Sequence, residues 1–163
     1  MQGVELGNKV LELGPGPGLT TDWLRARHPM ISCLEVDRRL ASALASRMRG
    51  ANVQVLCGDA AAMPFPDGAF TGAVALTMLH HVPSPLLQDR LFREARRVLA
   101  PGGVFAGTDG MLSLMMRAFH IADTMVLIDP AALPARLESA GFRDIKVEIG
   151  EGRFRFCARR PAA

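Results

Sequence analysis

Short apolar segments alternate with segments of helical periodicity along most of the chain. Five of the apolar segments have the length of strands, and they cover residues 8–13, 30–36, 53–57, 70–77 and 104–108. Continuous apolar runs of this length are typical of parallel strands that are buried on both faces. The pattern therefore predicts a parallel sheet whose strands are joined by crossover helices.

Helical segments are predicted between the strands at residues 20–27, 40–48 and 85–99. In the longest of them the apolar residues fall on one face and the arginines on the other, as in an amphipathic helix. The sequence Pro101-Gly102-Gly103 predicts a turn before the fifth strand. Asp129 followed by Pro130 is typical of a helix start, and this last helix is expected to end at Gly141.

The carboxyl-terminal pattern differs from the rest of the chain. Residues 145–149 and 153–158 flank Gly150-Glu151-Gly152, which predicts an antiparallel hairpin. Five strand–helix units are thus expected to close on a two-stranded antiparallel end. The 163 residues suffice for one domain spanning 1–163, and 49% hydrophobic and 21% charged residues are typical of a globular protein.

Composition narrows the class of protein further. No apolar run reaches the roughly 18 to 20 residues of a membrane-spanning helix, and the first residues lack the pattern of a secretory signal. We therefore expect a cytoplasmic protein without a membrane span. The three cysteines lie far apart, so no metal site is expected. The net charge of +3 comes from dispersed arginines, which are more typical of a solvated surface than of a nucleic-acid partner.

The first predicted strand is followed by a glycine-rich loop, Gly14-Pro15-Gly16-Pro17-Gly18. Glycine has no Cβ, so the backbone can turn sharply and approach a ligand closely. In a doubly wound sheet this turn lies at the carboxyl ends of the strands, where ligands bind. The dinucleotide fingerprint requires glycine or alanine at position 19, where this chain has Leu19. A tight strand-to-helix turn without a ligand is the alternative.

Glu35 lies at the end of the second predicted strand and Asp37 directly after it, and a third carboxylate, Asp59, follows the third strand. Glu35 can accept hydrogen bonds from both hydroxyls of a ribose, and strand alternation favours it over Asp37. Asp59, in Gly58-Asp59-Ala60, can accept a hydrogen bond from an exocyclic amino group such as that of adenine. For each carboxylate the alternative is a solvated strand end.

Several motifs occur in a fixed order over nearly the whole chain. They are residues 10–18, Glu35, Gly58-Asp59-Ala60, residues 63–70, residues 79–82 and residues 94–103. In this order they resemble the signature of class I S-adenosylmethionine-dependent methyltransferases, and most of all the small-molecule group of the ubiquinone and menaquinone pathways (methyltransferase type 11 domain). The resemblance implies a doubly wound, Rossmann-like α/β fold: a seven-stranded, mostly parallel sheet with an antiparallel C-terminal strand and helices on both faces.

The resemblance also implies a cofactor, S-adenosylmethionine, and residues that bind it. Gly14, Gly16 and Gly18 would pass beneath its methionine portion and ribose, Glu12 would approach its amino group, and Glu35 would hold the ribose hydroxyls.

Further cofactor contacts are implied at the ends of the next two strands. Asp59 and the backbone of Ala60 would meet the adenine. Thr77 and Met78 would line the sulfonium end.

Methyl transfer from a sulfonium requires mainly alignment of the acceptor and exclusion of water. A base is needed only where the acceptor must lose a proton, and His81 or Asp109 is our candidate. His80 and His120 are the other available bases, and each of the four can have a purely structural role instead.

The methyl acceptor is expected to be a small molecule. A methionine-rich segment, residues 111–125, suits a lipophilic or aromatic acceptor, but a core-facing helix explains it equally well. Methylases of base amino groups resemble one another in an Asn/Asp-Pro-Pro-aromatic motif after the fourth strand, where this chain reads Thr77-Met78-Leu79-His80, so a nucleic-acid acceptor is not expected.

Few residues precede the first strand, whereas the family usually carries helical residues there. The acceptor pocket is therefore expected to be open, completed by a second subunit in a homodimer, or missing. Two other functions stay open. One is a cofactor-binding protein without transfer activity, and the other is an NAD-dependent oxidoreductase, against which the glycine spacing argues.

Overall fold

The computed structural model describes residues 3–111 and 125–162, and their strands form one seven-stranded sheet of order β3-β2-β1-β4-β5-β7-β6. Strands β1 to β5 are parallel, and β7 runs antiparallel to both β5 and β6. The predicted fold class is thereby confirmed. The strands are β1 (Lys9–Leu13), β2 (Met30–Glu35), β3 (Val53–Cys57), β4 (Phe70–Leu76), β5 (Leu99–Gly110), β6 (Arg143–Gly150) and β7 (Arg153–Arg159).

Helices cover the sheet from both sides, as predicted. They are α1 (Leu19–Arg25), α2 (Arg38–Arg47), α3 (Pro85–Val98) and α4 (Leu133–Ser139), with a 3-10 turn at Leu79–His81. Leu24 of α1 and Leu44 of α2 belong to one buried cluster, and Phe92 of α3 and Leu137 of α4 belong to the other. Alternate residues of a strand point to opposite faces, so β1 supplies Val10 to the first cluster and its neighbour Leu11 to the second.

The last helix starts later than the sequence predicts. Asp129 does not cap a helix that begins at Pro130. Its carboxylate accepts a hydrogen bond from the backbone N–H of Ala131 at 2.9 Å, and its carbonyl accepts from the N–H of Leu133 at 3.1 Å. These bonds close a turn, because an aspartate side chain can hydrogen-bond to the backbone two residues on. Helix α4 begins only after this turn, at Leu133.

The predicted turn at Pro101-Gly102-Gly103 is also wrong, because β5 already begins at Leu99 and runs through these residues. Leu99 pairs with Phe70 and Val104 pairs with Gly72, so the register shifts between the two pairs. Extra residues on one strand produce a bulge, and Gly102 adopts a φ of 77° within it. The Pro-Gly-Gly sequence therefore forms an irregularity in a strand.

No helix among the described residues is long and apolar enough to cross a membrane. Most of the methionine-rich segment, including His120, Met115 and Met116, lies outside the residues that the structure describes.

Candidate cofactor-binding and active site

The strand order reverses between β1 and β4, which lie side by side in the middle of the sheet. From β1 the chain proceeds outward to β2 and β3, whereas β4 leads to β5 on the other side. Such a switch point leaves a crevice at the carboxyl ends of the strands, and ligands of doubly wound sheets bind there. The glycine loop follows β1 and the 3-10 turn follows β4, so both border this crevice.

The glycine loop has a backbone that other residues rarely adopt. Gly14 and Gly16 have φ angles of 59° and 55°, in the left-handed region. A Cβ on Gly14 would lie 2.9 Å from Cβ of Met78, whereas a Cβ on Gly16 would meet nothing within 4 Å. Position 14 therefore requires glycine, because Met78, just after β4, packs against its backbone. The backbone of Gly16, by contrast, faces open space that a ligand can enter. Gly18, with a φ of 85°, precedes the first residue of α1.

Glu35 connects the end of β2 to the glycine loop. Its side chain is only 5% exposed, and its Oε2 accepts a hydrogen bond from the N–H of Gly16 at 2.9 Å. Its Oε1 accepts from the N–H of Asp37 at 3.0 Å. Each carboxylate oxygen has two lone pairs, so these two bonds leave capacity for the hydroxyls of a ligand. The carboxylate is thus held beside the open side of Gly16.

Asp37, the competing carboxylate, has a different role in the structure. It is the N-cap of α2, and its Oδ1 accepts hydrogen bonds from the N–H groups of Leu40 and Arg39. These two bonds, that from Leu40 first, lower the pKa of Asp37. A carboxylate engaged in capping a helix is a poor candidate for binding ribose, which agrees with the preference for Glu35.

Glu12 is buried on the α1 side of the sheet, with 1% of its surface exposed. Its Oε2 accepts hydrogen bonds from Thr21 Oγ1 at 2.5 Å and Cys33 Sγ at 3.5 Å, and its Oε1 accepts from the hydroxyl of Thr20. Burial is the largest cause of its raised pKa, and the hydroxyl bonds oppose the rise. The structure thus shows Glu12 fastening the first turn of α1 to β1. Contact with a cofactor amino group stays a prediction.

Asp59 and Ala60 follow β3 on the same edge of the sheet. Asp59 is exposed and its Oδ1 accepts a hydrogen bond from the N–H of Ala61 at 2.8 Å. The preceding Gly58 donates its N–H to the carbonyl oxygen of Glu35 at 2.9 Å, so the loop after β3 is joined to the end of β2. Ala60 is half-buried and packs against the cluster that contains Phe92 of α3.

Glu94 and Arg97 form an ion pair on α3 that holds the loop beyond Ala60, and it was not predicted from the sequence. Glu94 Oε2 accepts from the N–H of Met63 at 2.8 Å, and Arg97 donates to the carbonyls of Met63 at 3.0 Å and Phe65 at 2.8 Å. Arg97 also pairs with Glu94 at 2.7 Å, and this bond is the main cause of the lowered pKa of Glu94. The three-residue spacing of Glu94 and Arg97 was visible in the sequence, but their loop partners were not.

Thr77 and Met78 connect β4 to the 3-10 turn. Thr77 is exposed and has a φ of 56°, which is unusual for a residue with a branched Cβ. Its N–H donates to the carbonyl of Thr108 at 2.7 Å, so the strained backbone is held against β5. Strained residues that the surroundings hold in place cluster at functional sites. The conformation directs the chain across the crevice, where Met78 packs over Gly14.

The two predicted catalytic residues differ sharply in exposure. His81 is exposed at the carboxyl edge, whereas Asp109 is only 2% exposed. Asp109 Oδ1 lies 2.5 Å from Nδ1 of His80, which is also 2% exposed, and its Oδ2 accepts from the N–H of His80 at 3.0 Å. The rings of His80 and His81 have centroids 4.1 Å apart. Sequence analysis named these three residues but did not predict that His80 and Asp109 pair.

A groove of about 660 Å³ lies elsewhere on the sheet. It is lined by residues 3–5 and by parts of β5, β6 and β7, and it contains none of the predicted site residues. Among residues 3–111 and 125–162, no group of three or more histidine, cysteine and acidic side chains is arranged to hold a metal ion.

The fold and the glycine loop define a Rossmann-like α/β protein of the type that binds a nucleoside-containing cofactor at its switch point. A family model described as a methyltransferase domain matches residues 11–107, more than half of the chain. The chain belongs to this family, the class I methyltransferases whose methyl donor is S-adenosylmethionine. The family assignment made from the sequence motifs is confirmed.

Individual relatives act on very different molecules. The ribosomal RNA small subunit methyltransferase A of Cupriavidus taiwanensis is 29% identical to this chain. The alignment covers 93% of this chain but only 61% of the length of that protein. The 24-methylenesterol C-methyltransferase 2 of Oryza sativa subsp. japonica is 37% identical over 60% of this chain and 27% of its own length. The first relative is partly at odds with the expectation that nucleic acid is not a partner.

A solved structure shows the same fold. Phosphoethanolamine N-methyltransferase 2 of Haemonchus contortus, in complex with S-adenosyl-L-methionine, superposes with a TM-score of 0.82 at 16% identity. The superposition covers 98% of this chain and 50% of the other.

Proposed function

We propose that this chain binds S-adenosylmethionine in the crevice between β1 and β4 and transfers its methyl group to a small acceptor. The observation that carries the proposal is the carboxylate of Glu35, held by two backbone N–H groups beside the open side of Gly16. A rigid acceptor of two hydrogen bonds next to an accessible backbone suits a ribose lying against a glycine loop.

The remaining predicted residues line the same edge of the sheet. Asp59 and Ala60 would contact the adenine, because they follow the strand next to Glu35. Gly14 and Gly18 would shape the loop beneath the methionine portion, and Thr77 would face the sulfonium end together with Met78.

The methyl of the bound sulfonium is electrophilic, so the chain need not form a covalent intermediate. Its residues have to orient the acceptor in line with the methyl–sulfur bond and exclude water. His81 is the exposed imidazole next to the strained end of β4, and it would accept the proton of an oxygen or nitrogen acceptor. Asp109 is less suited to that role, since its carboxylate is buried and engaged by His80.

A ribosomal RNA acceptor is the second candidate, favoured by the relative that covers 93% of this chain. The residues after β4 argue for the small molecule, since Thr77-Met78-Leu79-His80 lacks the Asn/Asp-Pro-Pro-aromatic pattern. The sterol methyltransferase relative also supports a lipophilic acceptor. A homodimer that completes the acceptor pocket belongs to the same proposal.

Calorimetric titration of the purified protein with S-adenosylmethionine, S-adenosylhomocysteine and NAD tests the cofactor. We expect binding of the first two and none of NAD. Transfer of a labelled methyl group is then measured against a panel of quinols, sterols and phenols, with ribosomal RNA as a separate arm. Labelled RNA without a labelled small molecule would replace the first candidate by the second. Binding without any transfer over both arms would favour a cofactor-binding protein.

A further inference from the structure

The 3-10 turn after β4 is hydrogen-bonded to β5, to α3 and to the segment that contains Val126. Asp109 of β5 binds both the backbone and the ring of His80. Gln88 of α3, which is fully buried, donates its Nε2 to the carbonyl of Leu79 at 3.2 Å and to the carbonyl of Val126 at 2.7 Å. Val126 in turn donates its N–H to the carbonyl of His80 at 2.8 Å. A turn of three residues is thus held by a network of buried and half-buried hydrogen bonds.

Asp109 is the centre of this network. Its Oδ1 accepts hydrogen bonds from the N–H of Gly110 at 2.7 Å and from Nδ1 of His80 at 2.5 Å, while Oδ2 accepts from the N–H of His80. The contact with the ring is a hydrogen bond from His80 to the carboxylate in the tautomer that has its proton on Nδ1. A buried carboxyl group with three donors is stabilised where it lies, and losing one donor leaves a buried oxygen with fewer hydrogen bonds.

His80 occupies the position between this buried carboxylate and the exposed His81. The two imidazoles are 4.1 Å apart between centroids, and their planes are inclined by 42°. Both belong to the same short turn, whose backbone His80 anchors through its own N–H and carbonyl. A change in the orientation of the His80 ring would therefore change the contact that positions the His81 ring.

We propose that His80 and Asp109 form a positioning pair that orients His81 towards the methyl acceptor. The inference rests on the proposed function, in which His81 faces the acceptor. Asp109 acts here through His80 and not as a proton acceptor for substrate. Such a pair fixes one ring rotamer at the active edge, and misplacement of a reacting group by about 1 Å can cost on the order of a hundredfold in rate.

Two substitutions at His80 separate positioning from chemistry. His80→Asn places an amide N–H near the position of Nδ1 and retains a donor for Asp109, whereas His80→Leu retains none. The mobility of the His81 ring is first measured by NMR relaxation of ring-labelled histidine, which requires no acceptor. We expect increased mobility in His80→Leu and wild-type mobility in His80→Asn. Unchanged mobility of His81 in His80→Leu would overturn the proposal, even if methyl transfer fails for other reasons.

Kinetics then connects the pair to transfer. We expect His80→Leu to lower kcat roughly ten- to a hundredfold with less than about a twofold change in S-adenosylhomocysteine affinity, and His80→Asn to restore kcat to within about threefold. Equal inactivity of both variants would contradict positioning and assign His80 itself to the reacting atoms.

A double-mutant cycle tests whether His80 acts through His81. In a His81→Ala background, His80→Leu should cause little further loss of kcat, because its effect passes through the missing ring. Full additivity of the two losses would overturn the inference. If His80→Leu does not fold, Asp109→Asn is the second variant. Its amide NH₂ must face at least one of the donors of His80 and Gly110, so a hydrogen bond is lost. We expect the mobility of the His81 ring to increase in this variant as well.

Discussion

The two sides of the sheet's carboxyl edge are built differently. On the side of β1, β2 and β3, the site consists of backbone groups fixed by carboxylates: the N–H groups of Gly16 and Asp37 donate to Glu35. On the side of β4 and β5, it consists of a short turn fixed by buried side chains: the backbone and the ring of His80 are hydrogen-bonded to the Asp109 carboxylate. The first side presents an open glycine backbone and the second an exposed histidine.

This difference matches the demands of the two proposed ligands. The cofactor is the same for many different methyl acceptors. The half of the site that binds it can therefore consist of fixed backbone geometry that tolerates little change. The acceptor side has to orient one particular molecule, and side chains at the ends of two strands can be exchanged without altering the sheet. Substitutions on the first side should therefore affect cofactor affinity, and those on the second should affect turnover.

The largest expected effect is on the cofactor side. Glu35→Ala removes the acceptor of two ribose hydrogen bonds and releases the N–H of Gly16. Hydrogen bonds to charged groups contribute about 1.5–3 kcal/mol each, so S-adenosylhomocysteine affinity should fall on the order of a hundredfold or more. Calorimetry measures this loss, with Glu138→Ala, an exposed carboxylate on α4, as the control. Equal affinities of the two variants would remove Glu35 from the cofactor site.

Gly16→Ala should have the next largest effect. A residue with a Cβ in the left-handed region costs roughly 1–2 kcal/mol, and the new methyl would enter the space beside Glu35. Gly50→Ala is a matched control, since Gly50 has a φ of 81° and no atom within 4 Å of its Cβ position but lies after α2. Both variants should lose similar unfolding free energy, and only Gly16→Ala should weaken S-adenosylhomocysteine binding, by about tenfold. A similar affinity loss in both would mean that the effect is one of stability.

Arg97→Met should produce a smaller loss of affinity. The substitution frees the carbonyls of Met63 and Phe65 and so loosens the loop that continues from Asp59. Coupling through such a contact is worth about 0.5–2 kcal/mol, which corresponds to a severalfold weaker cofactor affinity. Arg93→Met, an exposed arginine on the same helix, should bind like the wild type. A turnover defect at unchanged affinity would show that α3 supports the acceptor side instead.

The smallest effect concerns Glu12 and pH. Because burial raises its folded-state pKa, the stability that Glu12 contributes is present at acidic pH and is lost as pH rises through the raised pKa. The unfolding free energy of the wild type should therefore fall relative to that of Glu12→Gln from mildly acidic to neutral pH. Urea unfolding at several pH values measures the difference. A constant difference would mean that the three hydrogen bonds compensate fully for burial.

Local spacing was sufficient to predict where the glycine loop and Glu35 lie, whereas their contacts with a cofactor stay a prediction. Gly14 to Gly18 follow β1 and Glu35 is the last residue of β2, so their positions depend on the order of a few neighbouring residues. The acceptor side depends on register: His80 and Asp109 are 29 positions apart and meet only because β4 pairs with β5. The pattern of apolar residues predicts the strands but not the register between two of them, so this pair could not be predicted.

The two wrong boundaries have similar causes. Asp129 was expected to cap a helix, but its carboxylate closes a turn two residues on, and both arrangements use the same donor and acceptor types. At Pro101-Gly102-Gly103 the residues normally typical of a turn occur within β5, because β4 pairs with Leu99 before the irregularity and with Val104 after it. In both places a contact outside the local pattern decides the structure.

A crystal structure of this chain with S-adenosylhomocysteine would show directly whether the crevice between β1 and β4 binds the cofactor. We expect the ribose hydroxyls to lie within hydrogen-bond distance of the Glu35 carboxylate, and the ligand to pass over Gly16 with its sulfur directed towards Thr77 and the 3-10 turn. A ligand bound elsewhere, such as in the groove between β5, β7 and β6, would contradict the assignment of the crevice as the cofactor site.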